Sequence, residues 1–268
     1  MTPDVDAVTA LIGEVARSTV LPRHRALRAG EVEEKSPGEL VTIADREAEA
    51  LLTAGLAELL PGVPVIGEEA ATADPNLLEL LTDAPAVWLV DPVDGTANFV
   101  AGSEDFAVMV ALVVDQRTVA AWIHRPTENL TYVAELGSGA FRNGRRLVRR
   151  PASEDEALLR GAVLTTFLTP AQKLLALEGS RRLGPVGHGR MCAGVDYPLI
   201  AEGGQDFVMF WRTLPWDHAP GALILEEAGG AVRHLDGSRY TPARARTGLL
   251  AAADPGTYGR VLTALALR

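Results

Sequence analysis

"WLVDPVDGTANF", Trp88 to Phe99, is an apolar run that stops at Asp91 and turns through Pro92, Val93, Asp94 and Gly95. Two aspartates at i and i+3 across a Pro-Val turn can converge on one point at the end of a strand. Carboxylates held that close repel, and one takes up a proton unless a cation stands between them. Hard oxygen ligands of this kind suit Mg²⁺, which usually keeps several waters and one substrate oxygen. Gly95 allows the backbone to approach a ligand closely. Thr96 can open a helix whose free N–H groups point at an anion. On this reading Asp91 and Asp94 hold metal, and Gly95-Thr96 receive a phosphate. The same residues also make an ordinary solvated Asp-Pro-x-Asp-Gly turn, and this segment alone does not separate the two.

Outward from it lie two more acidic clusters. "IGEEA" puts Glu68 and Glu69 at the end of another strand, and "PWDHAPGALILEEAGG" puts Asp217 in the first turn of a helix. Each alone has a plain reading, since acids are favoured at helix N-termini. Three such clusters at element ends in one chain favour a common site. No Cys-His or Ser-His-Asp arrangement competes. His218 reads as a helix-start residue behind the site, and His24, His124, His188 and His234 are scattered.

The 268 residues are 47% hydrophobic, with mean hydropathy +0.11, so a large core can form and disorder is excluded. A net charge of -10 argues against a nucleic-acid surface, which neutralises phosphates with basic patches. "FRNGRRLVRR" could bind a polyanion or RNA; without interleaved aromatics it reads as a solvated hairpin edge. The one cysteine, Cys192, rules out an intrachain disulfide and points to a reducing compartment. It reads as a small buried hydrophobe, the alternative being a thiol of lowered pKa at a helix start. The opening "MTPDVDAVTALIGEVARS" has acids where a signal peptide wants basic residues. No stretch matches a membrane span. The expectation is a cytoplasmic protein with no membrane partner.

Val5, Val8, Leu11, Ile12 and Val15 recur at helical spacing, and "REAEALLTAGLAELLPG" gives a second helix. "VPVIGEEA", "AVWLVDP", "FAVMVALVVDQ", "TVAAWIHRP" and "LTYVAEL" read as strands, and Asn143-Gly144 as a hairpin turn. Residues 1–150 thus form an α+β lobe with an antiparallel sheet and most of the acidic site. Beyond "RRPASEDE", strands and helices alternate, so 151–268 form an α/β lobe supplying Asp217.

"GEE" at Gly67–Glu69, "DPVDGTANF" at Asp91–Phe99 and "WDHAPGALILEEAGG" at Trp216–Gly230 resemble the signatures of the inositol monophosphatase family; "KSPGELVTIAD", Lys35–Asp45, resembles its N-terminal element. The resemblance covers nearly the whole chain. It implies an α+β / α/β layered αβαβα sandwich and a Mg²⁺-dependent, lithium-sensitive phosphomonoesterase, often homodimeric, with two or three ions and Mn²⁺ as a substitute. By matching position, Glu68, Asp91 and the Val93 carbonyl would bind the first metal, and Asp91, Asp94 and Asp217 the second. Asp45 and Thr96 would orient and deprotonate the attacking water, with Glu69 behind them. Asp94, Gly95, Thr96, Ala193, Phe210 and Asp217 would face the substrate.

Two residues depart from the family pattern: Glu39 stands where many members carry Asp, and Ala44 where many carry Thr. Inositol-type members place a glutamate seven residues before the motif aspartate, where it accepts sugar hydroxyls. Here that position is Phe210, beside Trp211 and Arg212, which suits a flatter or more anionic group. Phe210 could equally point into the core. The expectation is hydrolysis of a small phosphorylated metabolite, an inositol or sugar phosphate. Nucleotide 3′-phosphates, fructose 1,6-bisphosphate and histidinol phosphate are alternatives. A regulatory protein of this fold binding RNA or the transcription machinery is the reading from a different class.

Overall fold

The computed structural model describes residues 3–36 and 38–267. Met1, Thr2, Arg268 and Pro37 of the "KSPGELVTIAD" motif lie outside the described residues. α1 (Val5–Val15) starts where Asp4 accepts the Ala7 N–H, and it turns Val8, Ile12 and Val15 inward. A hairpin of β1 (Val32–Ser36) and β2 (Glu39–Thr42) leads into α2 (Ile43–Leu59). Thr42 and Asp45 form a capping box there, satisfying free N–H groups at both positions. Next come β3 (Val65–Gly67), α3 (Glu68–Ala73), α4 (Leu80–Asp83) and β4 (Ala86–Asp94), the last buried throughout. After α5 (Thr96–Val100) a meander follows: β5 (Ala107–Val114), β6 (Arg117–Arg125), β7 (Leu130–Glu135), β8 (Gly139–Arg142) and β9 (Arg145–Leu147). Asn143 and Gly144 have φ of 46° and 75°, the left-handed pair a two-residue hairpin turn needs. Strands β3 to β9 lie side by side in chain order, and only β3–β4 is parallel.

The rest of the chain builds a second sheet from β10 (Gly161–Val163), β11 (Val186–Gly187), β12 (Phe207–Phe210), β13 (Ala231–His234) and β14 (Leu249–Ala252), in the order β11-β10-β12-β14-β13. It is mixed rather than purely alternating α/β: β11, β10 and β12 are parallel, while β14 runs antiparallel to both β12 and β13. Its helices are α6 (Pro170–Ser180), α7 (Ala193–Ala201), α8 (Pro215–Glu227) and α9 (Pro255–Leu265).

Burial orders these elements into five layers. Val8, Ile12, Leu52 and Leu56 of α1 and α2 pack on Trp88, Val90 and Trp122 of the larger sheet. The sheet's other face, through Met109, Ala121 and Ile123, meets α7 and α8, which cover Val208, Phe210 and Ala251 of the smaller sheet. Phe207, Met209 and Leu250 on its far face pack against Val261 and Leu265 of α9. This is the αβαβα sandwich. The central helices touch closely: a Cβ on Gly221 would stand 2.1 Å from the Tyr197 ring. The basic segment is only partly a solvated edge, because Arg149 is buried against Asp206 at 2.7 Å and Arg142 pairs with Glu202. No helix among the described residues is long and apolar enough to cross a membrane.

Candidate active site

The end of β4 is shaped by a register shift. Asp91 pairs with Met109 and Asp94 with Ala107, so three steps on β4 oppose two on β5. Such a bulge leaves a residue unpaired and re-aims its neighbours; Pro92, lacking an N–H, costs the ladder nothing there. Asp91 accepts the Val93 N–H at 3.1 Å. Asp94 accepts the Gly194 N–H at 2.5 Å and the Cys192 thiol at 3.1 Å. Gly95 has φ 83°, and a Cβ on it would meet the Asp105 carbonyl at 2.9 Å, so only glycine fits between β4 and α5. Thr96 opens α5, its Oγ1 lying 3.2 Å from Asp45 Oδ1 and 3.0 Å from the Val93 carbonyl. Asp45 Oδ2 accepts from the Thr42 amide at 2.8 Å and hydroxyl at 2.5 Å.

Glu68, Asp91, Val93, Asp94, Gly95, Thr96, Ala193, Phe210 and Asp217 all line one cavity. Asp45 lies behind Thr96 rather than on the wall. Glu69 is also off this wall and reaches it only through Lys35, whose Nζ bonds Glu69 at 2.6 Å and Glu68 at 3.0 Å. Phe210 borders the cavity, but its ring is nearly buried. It stacks on Tyr197 at 5.2 Å and meets His218 edge-on at 4.8 Å. A wider groove beyond Trp211 and Arg212 holds a single carboxylate, Asp236, already paired with Arg246, so the concentration of charge belongs to the smaller cavity.

The electrostatics follow from burial. Burial, reinforced by Glu68, Asp94 and Asp217, pushes the Asp91 carboxyl well above the usual carboxylate range. Burial drives Asp217 the same way, reinforced by Asp94 and Glu68. Asp94 is raised to about 6 by burial, opposed by its bonds from Gly194 and Cys192. Burial also lifts Asp45 to about 6. Cys192 caps α7, yet its thiol is pushed up by burial and by Asp94, so the lowered-pKa alternative is set aside in favour of a buried, inert side chain. Burial opposes the Lys35 charge, but Glu68 and Glu69 outweigh it.

Among the described residues no three Asp, Glu, His or Cys side chains close into a finished metal cage. The donor set nevertheless fits a hard divalent cation. Its oxygens come from β4, α3 and α8, they repel one another, and a cation would relieve that repulsion and take over from the ammonium on Glu68. Lys35 went unassigned in the sequence reading, although it is one of only two lysines in the chain. Glu49 was missed too: it accepts the Glu69 and Ala70 amides at 2.8 and 2.9 Å, capping α3 and fixing where Glu68 points.

The sequence pattern of the inositol monophosphatase family matches residues 3–266. The chain is 35% identical over 216 residues to an inositol-1-monophosphatase of Mesorhizobium japonicum, covering 76% of each chain. It is 31% identical over 207 residues to a fructose-1,6-bisphosphatase/inositol-1-monophosphatase of Thermotoga maritima, covering 76% of this chain and 75% of that one. In three dimensions it is similar to the extragenic suppressor protein suhB of Bartonella henselae, with a TM-score of 0.84, 25% identity and 97% of both chains covered.

Proposed function

The chain belongs to the inositol monophosphatase family and is a phosphomonoesterase acting on small phosphorylated metabolites; we propose that it works with Mg²⁺ held by Glu68, Asp91, Asp94, Asp217 and the Val93 carbonyl. The observation that carries this assignment is the convergence of four carboxylates from three elements on one cavity. Bound Mg²⁺ would neutralise the phosphoryl oxygens, activate water and stabilise the leaving alkoxide. The chain's own part is proton handling and positioning. Thr96 Oγ1 accepts a hydrogen from the attacking water while passing its own to Asp45 Oδ1, 3.2 Å away. A carboxyl raised to about 6 is well matched to that task near neutral pH. The Gly95 and Thr96 amides at the start of α5 face the phosphate. Phosphate release from a panel of phosphomonoesters should require Mg²⁺ or Mn²⁺ and stop in EDTA, with Asp91→Asn slower by about a hundredfold or more. Full turnover in EDTA would refute the assignment.

We also assign the protein to the cytoplasm as a homodimer. A lone buried cysteine supports the first. The exposed Leu174, Leu175 and Leu177 of α6 support the second as a candidate contact face. The division into lobes at residue 150 rests on the gap between the end of β9 at Leu147 and the start of β10 at Gly161.

A further inference from the structure

Arg212 stands at the mouth of the catalytic cavity, between β12 and α8, and it is anchored from behind. Its carbonyl lies 3.1 Å from His218 Nε2, and His218 Nδ1 lies 3.0 Å from the Tyr197 hydroxyl. A carbonyl only accepts, so Nε2 carries the imidazole hydrogen and Nδ1 accepts from Tyr197. His218 and Tyr197 are both buried, which fixes the backbone of Arg212. In front, the guanidinium lies 4.7 Å from the centre of the Phe167 ring and pairs with Glu39 at the start of β2. The two paired side chains are 40% and 36% exposed. An ion pair that open contributes little, so another anion can take the place of Glu39.

Among the described residues lining the cavity, the cations are Lys35 and Arg212, and Lys35 is held by Glu68 and Glu69. Phe210, Trp211 and Phe167 offer no carboxylate or amide to a polyol. Beside them the wall carries the Glu39 carboxylate and the Thr166 hydroxyl, and Arg212 is the cation there that an anionic substituent can reach. We propose that Arg212 is a specificity residue, which exchanges Glu39 for a second anionic group, a carboxylate or another phosphoryl, on the non-phosphate part of the substrate. A guanidinium fork matches either group with two parallel hydrogen bonds. This inference deepens the phosphatase reading and rests on it.

The test compares kcat/KM within two substrate pairs: fructose 1,6-bisphosphate against fructose 1-phosphate, and 2-phosphoglycerate against glycerol 2-phosphate. The wild type should prefer the more anionic member of at least one pair, and the pair that responds identifies the anion. Arg212→Gln should reduce that preference on the order of tenfold or more. Glu39→Gln breaks the same ion pair but frees the guanidinium, so it should raise the preference. Opposite responses of the two variants separate specificity from a merely structural contact. Equal losses in both, no preference in the wild type, or a preference undiminished in Arg212→Gln would each overturn the inference. Turnover without charge preference removes this inference alone, whereas no turnover of any phosphomonoester would remove the phosphatase reading with it.

Discussion

Thr96 Oγ1 has two acceptors in reach, Asp45 Oδ1 and the Val93 carbonyl, and one hydrogen to give. Which one receives it depends on what else occupies the Val93 carbonyl; a cation there would turn the hydroxyl toward Asp45. Replacing Thr96 by Ala removes the proton path but no proposed metal ligand. Thr96→Ala should therefore lower kcat by about a hundredfold with Mg²⁺ affinity nearly intact. Calorimetric titration checks this, and a collapse of metal binding would make Thr96 a structural residue instead. Phe210 supports a second outcome. Its ring stacks on Tyr197, meets His218 edge-on and presents no acceptor. A hydroxyl buried against it would lack a partner, which costs on the order of a few kcal/mol. Inositol 1-phosphate should accordingly not be the best substrate. The highest kcat/KM for it, against fructose 1,6-bisphosphate, adenosine 2′- and 3′-phosphates and histidinol phosphate, would show the prediction wrong.

At the scale of elements, α7 and α8 form the middle layer and carry Ala193 and Asp217 to the cavity. Their approach depends on Gly221, over which the Tyr197 ring lies. Gly221→Ala should destabilise the protein by about 1–3 kcal/mol through overpacking, read from urea unfolding. It should also weaken the active site, since Tyr197 holds His218. The helices that report themselves in sequence do so by apolar period or end chemistry: Val8, Ile12 and Val15 in α1, and Pro255 opening α9. Asn143-Gly144 likewise needs no context to turn a hairpin. By contrast β11 has two residues and β13 four, and they are strands only because β10 and β14 pair with them. The acidic signatures were legible because their chemistry is local. Lys35 across the cavity from β4, Glu49 capping α3, and Glu39 on Arg212, 173 residues apart, were not. Those contacts exist only once the layers are stacked.

For the whole molecule, stacking five layers brings the end of β4, the start of α3 and the start of α8 to one seam, and it buries negative charge there. Asp45 and Asp94 are raised to about 6 and Asp196 to about 7 by burial, and Asp91 and Asp217 are raised by burial and by the neighbouring Glu68 and Asp94 carboxylates. A carboxyl raised on folding binds its proton more tightly in the native state. Its contribution is complete below the ordinary value of about 3.9 and is lost as pH rises through the folded value. His124 and His218, held at about 4 by burial, and His234, also lowered by burial, act in the opposite sense: stability falls as pH drops below about 6.5. Between about pH 5.5 and 8 the raised carboxyls give up their protons in the native state, which weakens it, while the imidazoles, charged in the unfolded chain below about 6.5, oppose this at the acid end. Divalent cations bind the deprotonated carboxylates of the native state only, so Mg²⁺ should raise Tm, and by more at pH 8 than at pH 5.5. Calorimetric scans at the two pH values, with EDTA and with Mg²⁺, measure both shifts. A Tm at pH 8 indifferent to Mg²⁺ would mean that the buried carboxylates are stabilised by their hydrogen bonds and Lys35 alone, and that the seam is not a metal centre.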